Sequence, residues 1–387
     1  MRTLLGAFLL ATASLPIQLT AQPTLHNEHT PPKRAVAQLP PPSTSGPTVN
    51  PDGSVVFRFP ALQAKSVQLN LEGADPQPMT QAADGTWTIT TRPLEPQVYG
   101  YSFVVDRVNF LDPGNVSVKT NLLHLQNMIE VPGKSPLDWD PQSVPHGVLH
   151  HHFYRSATLD RQSDYYVYTP PNYDPKTKYP VLYLLHGYSD DASGWTAVGR
   201  AHVILDNLIA QGLAKPMIVV MPLGYGTMEM ITRQWDAWQD RALVDRNFSL
   251  YTQILLQEVK PQIETQYSIS SDRKDHAIAG LSMGGGESLL TGLNHPEEFA
   301  YVGGFSSGIQ DMNFDQSLPN LANNRDQFKL LWVACGVDDH LITPNRAFIA
   351  WLRQKQIPVT VIETTGRHTW MVWRDNLIHF APLLFRN

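Results

Sequence analysis

Ala277-Ile278-Ala279-Gly280-Leu281-Ser282-Met283-Gly284-Gly285-Gly286 is the stretch on which the reading of this chain turns. Its first residues are short and apolar and follow Asp275-His276, the pattern of a buried strand. From Gly284 through Glu287-Ser288-Leu289-Leu290 a helix opens. A serine between glycines at such a turn sits on a bend too tight for neighbouring Cβ atoms, with its hydroxyl exposed for attack. The N–H of Met283 then points where a tetrahedral oxyanion would form, helped by the positive end of the helix. A glycine-rich turn with an incidental serine is the bland alternative, and the residues downstream weigh against it.

A serine hydroxyl needs a base to take its proton, and the base needs an acid to orient it. After Ser282 comes the apolar run Phe328-Lys329-Leu330-Leu331-Trp332-Val333-Ala334-Cys335, ending in Gly336-Val337-Asp338-Asp339-His340. Next comes Pro358-Val359-Thr360-Val361-Ile362, ending in Thr365-Gly366-Arg367-His368-Thr369-Trp370. An acid and a histidine thus each follow a strand, at the edge of a parallel sheet where functional groups gather. The expected set is Ser282 as nucleophile, His368 as general base and acid, and Asp339 as orienting carboxylate. Asp338 is the rival acid, since neighbouring side chains point apart and the sequence does not say which turns inward. His340 lies too near the acid loop to be the base, and His379 falls in an apolar helical stretch that suits a packed ring.

A second oxyanion donor is expected after the strand Tyr179-Pro180-Val181-Leu182-Tyr183-Leu184-Leu185, which runs into His186-Gly187-Tyr188. A backbone N–H at Gly187 or Tyr188 would face Ser282. His186 reads as a residue that shapes this loop.

These stretches, with Tyr168-Thr169-Pro170-Pro171-Asn172-Tyr173, Met221-Pro222-Leu223-Gly224-Tyr225-Gly226 and Gly366-Arg367-His368-Thr369-Trp370-Met371-Val372-Trp373, make residues 151–387 resemble the esterase-D-type α/β-hydrolases. That group holds feruloyl, acetyl-xylan and enterochelin esterases and S-formylglutathione hydrolases. The resemblance implies an α/β fold, favours the aspartate that ends Cys335-Gly336-Val337-Asp338-Asp339, and puts Trp373 beside the substrate cleft. A core role for Trp373 under the last helix stands equally open.

The module ahead of the hydrolase reads differently. Val55-Val56-Phe57-Arg58-Phe59, Val67-Gln68-Leu69-Asn70-Leu71, Trp87-Thr88-Ile89 and Tyr99-Gly100-Tyr101-Ser102-Phe103-Val104-Val105 alternate with period two. Turn signals such as Pro51-Asp52-Gly53 and Ala83-Asp84-Gly85 separate them, as in a small all-β sandwich. Gly85-Thr86-Trp87, Tyr99 to Phe103 and Asp112-Pro113-Gly114-Asn115 resemble the early-set, immunoglobulin-like module that precedes isoamylase-type and some esterase-D-type domains. Asp106-Arg107 departs from the Asp-Gly turn usual there. Trp87 and Tyr101 alternate with polar residues, which puts them in the core and favours a structural or cleft-shaping role over glycan binding.

The expected organisation is a signal peptide (1–21), a proline-rich tether (22–50), the β-sandwich module (51–132), a linker (133–150) and the esterase domain (151–387). The signal rests on Arg2, the apolar run from Leu4 to Ala11 and a small residue at Ala21. It implies export to the periplasm or beyond. No other segment approaches the roughly 20 apolar residues of a membrane span. The single cysteine, Cys335, allows no intramolecular disulfide, and a formal charge of −6 without a basic cluster gives no sign of a nucleic-acid surface. His150-His151-His152 would alternate faces in a strand and lacks a matching ligand cluster, so no metal and no cofactor is expected.

Tyr225 to Trp238 has no clean period; its methionines, Trp235 and Trp238 would make an adaptable apolar wall for an aromatic acyl group, or the segment is a loop packed onto the β-sandwich. The expected function is therefore an exported serine esterase acting on feruloyl or acetyl esters of plant cell-wall polysaccharide. An enterochelin-type siderophore esterase is the main alternative. An acyltransferase and a non-catalytic glycan-binding protein are the others, and oligomeric state is not written in the residues.

Overall fold

The computed structural model describes residues 46–386. The expected signal peptide and nearly all of the expected tether lie outside the described residues. Two antiparallel sheets come first. One runs in the order Thr48–Val49, Val55–Pro60, Thr86–Thr90, Thr80–Gln81. The other runs Gln77–Pro78, Val67–Leu71, Gln97–Val105, Gln126–Val131, Val118–Lys119, with Val108–Phe110 hairpinned onto Gln97–Val105. Period-two burial decides the facing: Val55, Phe57 and Phe59 from one sheet meet Leu69, Leu71, Tyr101 and Phe103 from the other in a shared core. Trp87 and Tyr101 are in that core. Gln126–Val131 escaped the sequence pattern because a polar residue, Asn127, takes one of its buried positions. Asp106 and Arg107 both have positive φ, 46° and 74°, as a two-residue hairpin turn demands. The Asp106 carboxylate ties the turn to the start of the neighbouring strand by accepting the N–H groups of Lys65 and Ser66.

The second part is built on an eight-stranded sheet. Its strands are β1 (Val148–Ser156), β2 (Arg161–Thr169), β3 (Val181–Leu185), β4 (Ile218–Pro222), β5 (His276–Leu281), β6 (Tyr301–Phe305), β7 (Leu330–Gly336) and β8 (Thr360–Thr364). Their order is β1-β2-β4-β3-β5-β6-β7-β8, with β1, β2 and β4 joined antiparallel and the rest parallel. Every residue of β3 to β6 is buried, whereas edge strand β1 alternates. Strands covered on both faces must be apolar throughout.

The main helices are α1 (Ala201–Ala210), α2 (Arg241–Ile254), α3 (Ser282–Asn294), α4 (Ile342–Gln354) and α5 (Trp370–Phe380). Ile204, Leu205 and Leu208 of α1 join Leu377 and Phe380 of α5 on one face of the sheet. Tyr251 and Ile254 of α2, Leu289 and Leu293 of α3, and Phe348 and Leu352 of α4 cover the other. This is a doubly covered α/β layer preceded by an all-β layer. β1 begins at Val148, inside the segment expected as linker. The rest of that segment is tied down: Asn207 Nδ2 donates to the carbonyls of Asp138 and Asp140, and Asp206 accepts the Gly147 N–H.

The three histidines lie on β1, each with its own partner. His150 meets Thr169, His151 meets Asp164, and His152 meets Tyr267. His379, expected as a packed ring, is exposed, because it faces away from the sheet that Leu377 and Phe380 cover.

Candidate active site

Ser282 stands at the junction of β5 and α3 with φ +53°, a left-handed backbone that a non-glycine residue adopts only under constraint. The constraint is contact. A Cβ on Gly280 would lie 2.4 Å from the Gly284 carbonyl oxygen, and one on Gly284 would lie 2.4 Å from that of His186. Glycine at both positions lets the turn close against β3. The Gly308 N–H donates to the Ser282 carbonyl at 2.7 Å, so the loop after β6 braces the bend from the other side.

Loops after β7 and β8 bring the partners. His368 Nε2 lies 2.9 Å from Ser282 Oγ, and His368 Nδ1 lies 2.9 Å and 3.1 Å from the two carboxylate oxygens of Asp339. Asp339 is buried and also accepts the Leu341 N–H at 2.8 Å. Burial alone would raise its carboxyl, but the hydrogen bond and charge of His368 and the Leu341 N–H outweigh it and hold the group below the usual carboxylate range. Asp338 is exposed. Of the two neighbouring acids, the loop turns Asp339 inward to His368 and leaves Asp338 in solvent. With Asp339 accepting at Nδ1, the imidazole presents Nε2 to the serine as acceptor.

The His186-Gly187-Tyr188 turn runs against the nucleophile: a Cβ on Gly187 would lie 3.3 Å from Ser282 Cβ. His186 is fixed as a neutral tautomer. Its Nε2 accepts the Gly224 N–H at 2.8 Å, which leaves Nδ1 to donate to the Gly187 carbonyl at 2.8 Å. Burial drives its pKa down. Met283 occupies the first turn of α3, where N–H groups have no intrahelical acceptor. Met283 and the Gly187-Tyr188 turn therefore both lie beside Ser282.

Ser282 and His368 open onto a cavity of about 360 Å³ that is also lined by Gly187, Tyr188, Trp235, Trp238 and Trp373. Trp373 lines this cavity and also packs into the core. It is buried, and its ring stands perpendicular to His368 at 4.8 Å. Trp235 and Trp238 meet Tyr188 edge-on at 4.9 Å and 5.5 Å. Both belong to one short helical turn, Gln234–Gln239, which follows another at Glu229–Thr232.

Sequence reasoning gave the β-layer a structural or cleft-shaping role but named none of the residues it brings to this cavity. Lys119 and Asn121 line the same cavity. Asn121 Nδ2 donates to Ser189 Oγ and to Asp190 Oδ1, and the Leu122 N–H donates to the Ser189 carbonyl. A second groove of about 620 Å³ shares Lys119, Asn121 and Ser189 with the cavity and continues over Asn70, Asn109, Phe110 and Gln126. No period or motif marks these residues in the sequence, because they reach the site from the β-layer, far along the chain from Ser282. Asp190 is buried at this junction, and burial pushes its carboxyl up to about 7 despite Lys119 and Asn121.

Asp339, His340 and His368 each offer a ligand atom within 4.8 Å of the others, the one such grouping found among the described residues. Both ring nitrogens of His368 are already engaged by Asp339 and Ser282. The set therefore fits a hydrogen-bonded relay better than an ion. No described helix is long and apolar enough to cross a membrane.

Comparison with known proteins agrees with this architecture. A xylanase/feruloyl esterase of Xylanibacter ruminicola is 30% identical over 357 residues, which is 89% of this chain and 46% of that protein. The chain thus spans less than half the length of that relative. A ferulic acid esterase of Anaeromyces mucronatus superposes with TM-score 0.56 at 22% identity, covering 65% of this chain and 96% of the other. An enterobactin esterase of Shigella flexneri superposes with TM-score 0.65 at 19% identity, covering 88% of this chain and 96% of the other. At those identities the two structures speak for the fold alone. The Esterase family pattern matches residues 156–384, more than half of the sequence, and the chain belongs to the Esterase family.

Proposed function

We propose that this protein is a serine carboxylic-ester hydrolase for feruloyl or acetyl esters of cell-wall glycan, with Ser282 as nucleophile, His368 as general base and acid, and Asp339 as the orienting carboxylate. The observation that carries this reading is the continuous hydrogen-bonded series from Ser282 Oγ through His368 to buried Asp339, open to an aromatic cavity. Ser282 Oγ attacks the ester carbonyl while Nε2 takes its proton, and Asp339 stabilises the imidazolium that results. The N–H groups of Met283 and of Tyr188 or Gly187 hold the oxyanion, a contribution of about 3 kcal/mol per donor in comparable sites. His368 then passes the proton to the leaving alkoxide. Water, deprotonated by the same nitrogen, releases the acid and restores the serine.

Trp235, Trp238 and Trp373 suit a planar aromatic acyl group. The amide-lined groove beyond Lys119 and Asn121 suits a polyhydroxylated alcohol, since amides both donate to and accept from hydroxyls. The X. ruminicola relative favours the feruloyl side of the proposal. Export follows from the leader-like residues 1–21.

A second reading is a siderophore esterase. The S. flexneri enterobactin esterase aligns over both the β-layer and the hydrolase, whereas the A. mucronatus enzyme covers 65% of the chain. A substrate panel decides between them. Release of ferulate from feruloylated arabino-oligosaccharide, or of acetate from acetyl-xylan, with little turnover of a catechol-serine trilactone, supports the first reading. The reverse pattern establishes the second.

A further inference from the structure

The loop that carries His368 is held by residues of the β-layer, and the hold is local to the helix that begins two residues later. Helix α5 starts at Trp370, and its N-cap residue Thr369 makes no side-chain capping bond. The first N–H groups of a helix need an outside acceptor. Glu72, which follows the strand Val67–Leu71, supplies it: one carboxylate oxygen accepts the Trp370 N–H at 2.8 Å, and the other accepts the Gly100 N–H at 2.8 Å. A carboxylate at a helix N-terminus is also favoured by the helix dipole.

The partners of Glu72 are themselves fixed. Arg374, one turn further along α5, is buried; it donates to the Val98 carbonyl at 2.6 Å, to Gln97 Oε1 at 3.0 Å and to the Val198 carbonyl at 2.8 Å. Its charge and that of Lys119 face Glu72. Burial would raise the Glu72 carboxyl, yet those charges and the two N–H groups hold it below the usual range. Met371 closes the seam by packing onto the core of the sandwich. A second link, Arg367 to Asp75 at 2.7 Å, sits on the other side of His368, but both partners are largely exposed. Such a pair contributes little.

We propose that Glu72 is a positioning residue for His368, capping α5 from the β-layer so that the imidazole stays in line between Asp339 and Ser282. The β-layer then forms part of the catalytic framework. This rests on the reading of Ser282, His368 and Asp339 given above.

Glu72→Gln keeps the shape but leaves one N–H facing an amide NH2. Glu72→Asp keeps the charge but shortens the reach, and Asp75→Asn removes only the exposed link. With p-nitrophenyl acetate, E72Q is expected to lose kcat on the order of tenfold or more with KM nearly unchanged, because a misplaced base costs the chemical step. E72D should recover part of the loss, and D75N should stay within about twofold. A folded E72Q with wild-type kcat overturns the proposal, as does a D75N loss equal to that of E72Q. Should E72Q fail to fold, E72D carries the same kcat and KM test. The imidazole NMR signals of His368 provide a readout without turnover. The Nδ1–H resonance bonded to Asp339 should shift or broaden in E72Q and stay in place in D75N, and an unmoved resonance in E72Q contradicts the proposal. If the wild type cleaves no ester at all, the esterase reading fails while this spectral test still decides the role of Glu72.

Discussion

Two adjacent aspartates show how much depends on one side chain. Asp339 turns inward to His368 and Asp338 stays in solvent. Asp339→Asn is therefore expected to lower kcat by about 10³- to 10⁴-fold, because an amide no longer fixes the imidazole tautomer. Asp338→Asn should leave it nearly intact. Steady-state kinetics on any activated ester checks both. Order and spacing after two apolar runs made Ser282 and His368 legible in the sequence, but the inward turn of Asp339 depends on loop geometry that a dipeptide does not encode.

Asp190 gives a prediction with a pH sign. Its carboxyl is held up to about 7 from an ordinary 3.8, mainly by burial. Between those values the folded chain keeps a proton that the unfolded chain has lost. Stability should therefore fall as pH rises across this window, at up to about 1.4 kcal/mol per pH unit from this group. Asp190→Asn should flatten that slope in thermal melts taken between about pH 4 and pH 7. An equal slope in the variant would show that Asp190 is ionised throughout.

The elements were read unevenly. Strands buried on both faces, such as β3 and β5, announce themselves as short apolar runs, and period-two alternation gave the sandwich strands with Val55, Phe57, Leu69 and Leu71 inside. Gln126–Val131 was lost to a buried asparagine that bonds the Asp112 N–H, a tertiary role without a local signal. The segment from Tyr225 to Trp238 has no period because buried polar groups hold it. Asn247 Oδ1 accepts the N–H groups of Gly226 and Thr227, while its Nδ2 donates to buried Glu287 on α3. Burial drives the Glu287 carboxyl well above its ordinary value, so a neutral acid next to Asn247 costs less than a buried charge.

At the scale of the molecule, the β-layer and the hydrolase share one site. Lys119 and Asn121 line the cavity, Glu72 caps the helix after His368, and the amide-lined groove leads away from Ser282 across the β-layer. The sequence suggested a structural or cleft-shaping role for the module, but no period or motif singled out Lys119, Asn121 or Glu72. If the groove receives the alcohol, Asn109→Ala and Gln126→Ala should each lower kcat/KM for feruloylated arabino-oligosaccharide about three- to tenfold, the worth of one hydrogen bond. Methyl ferulate, which lacks the glycan, should be cleaved as by the wild type. Equal losses on both substrates would assign these residues to folding instead.

The central claim is that Ser282 is made nucleophilic by His368. Labelling with a fluorophosphonate, followed by intact-mass measurement and peptide mapping, tests it without any assumption about the natural ester. One adduct per chain is expected on Ser282, absent in Ser282→Ala and strongly slowed in His368→Ala. Ester turnover that persists in Ser282→Ala, or an adduct on another residue, would contradict it.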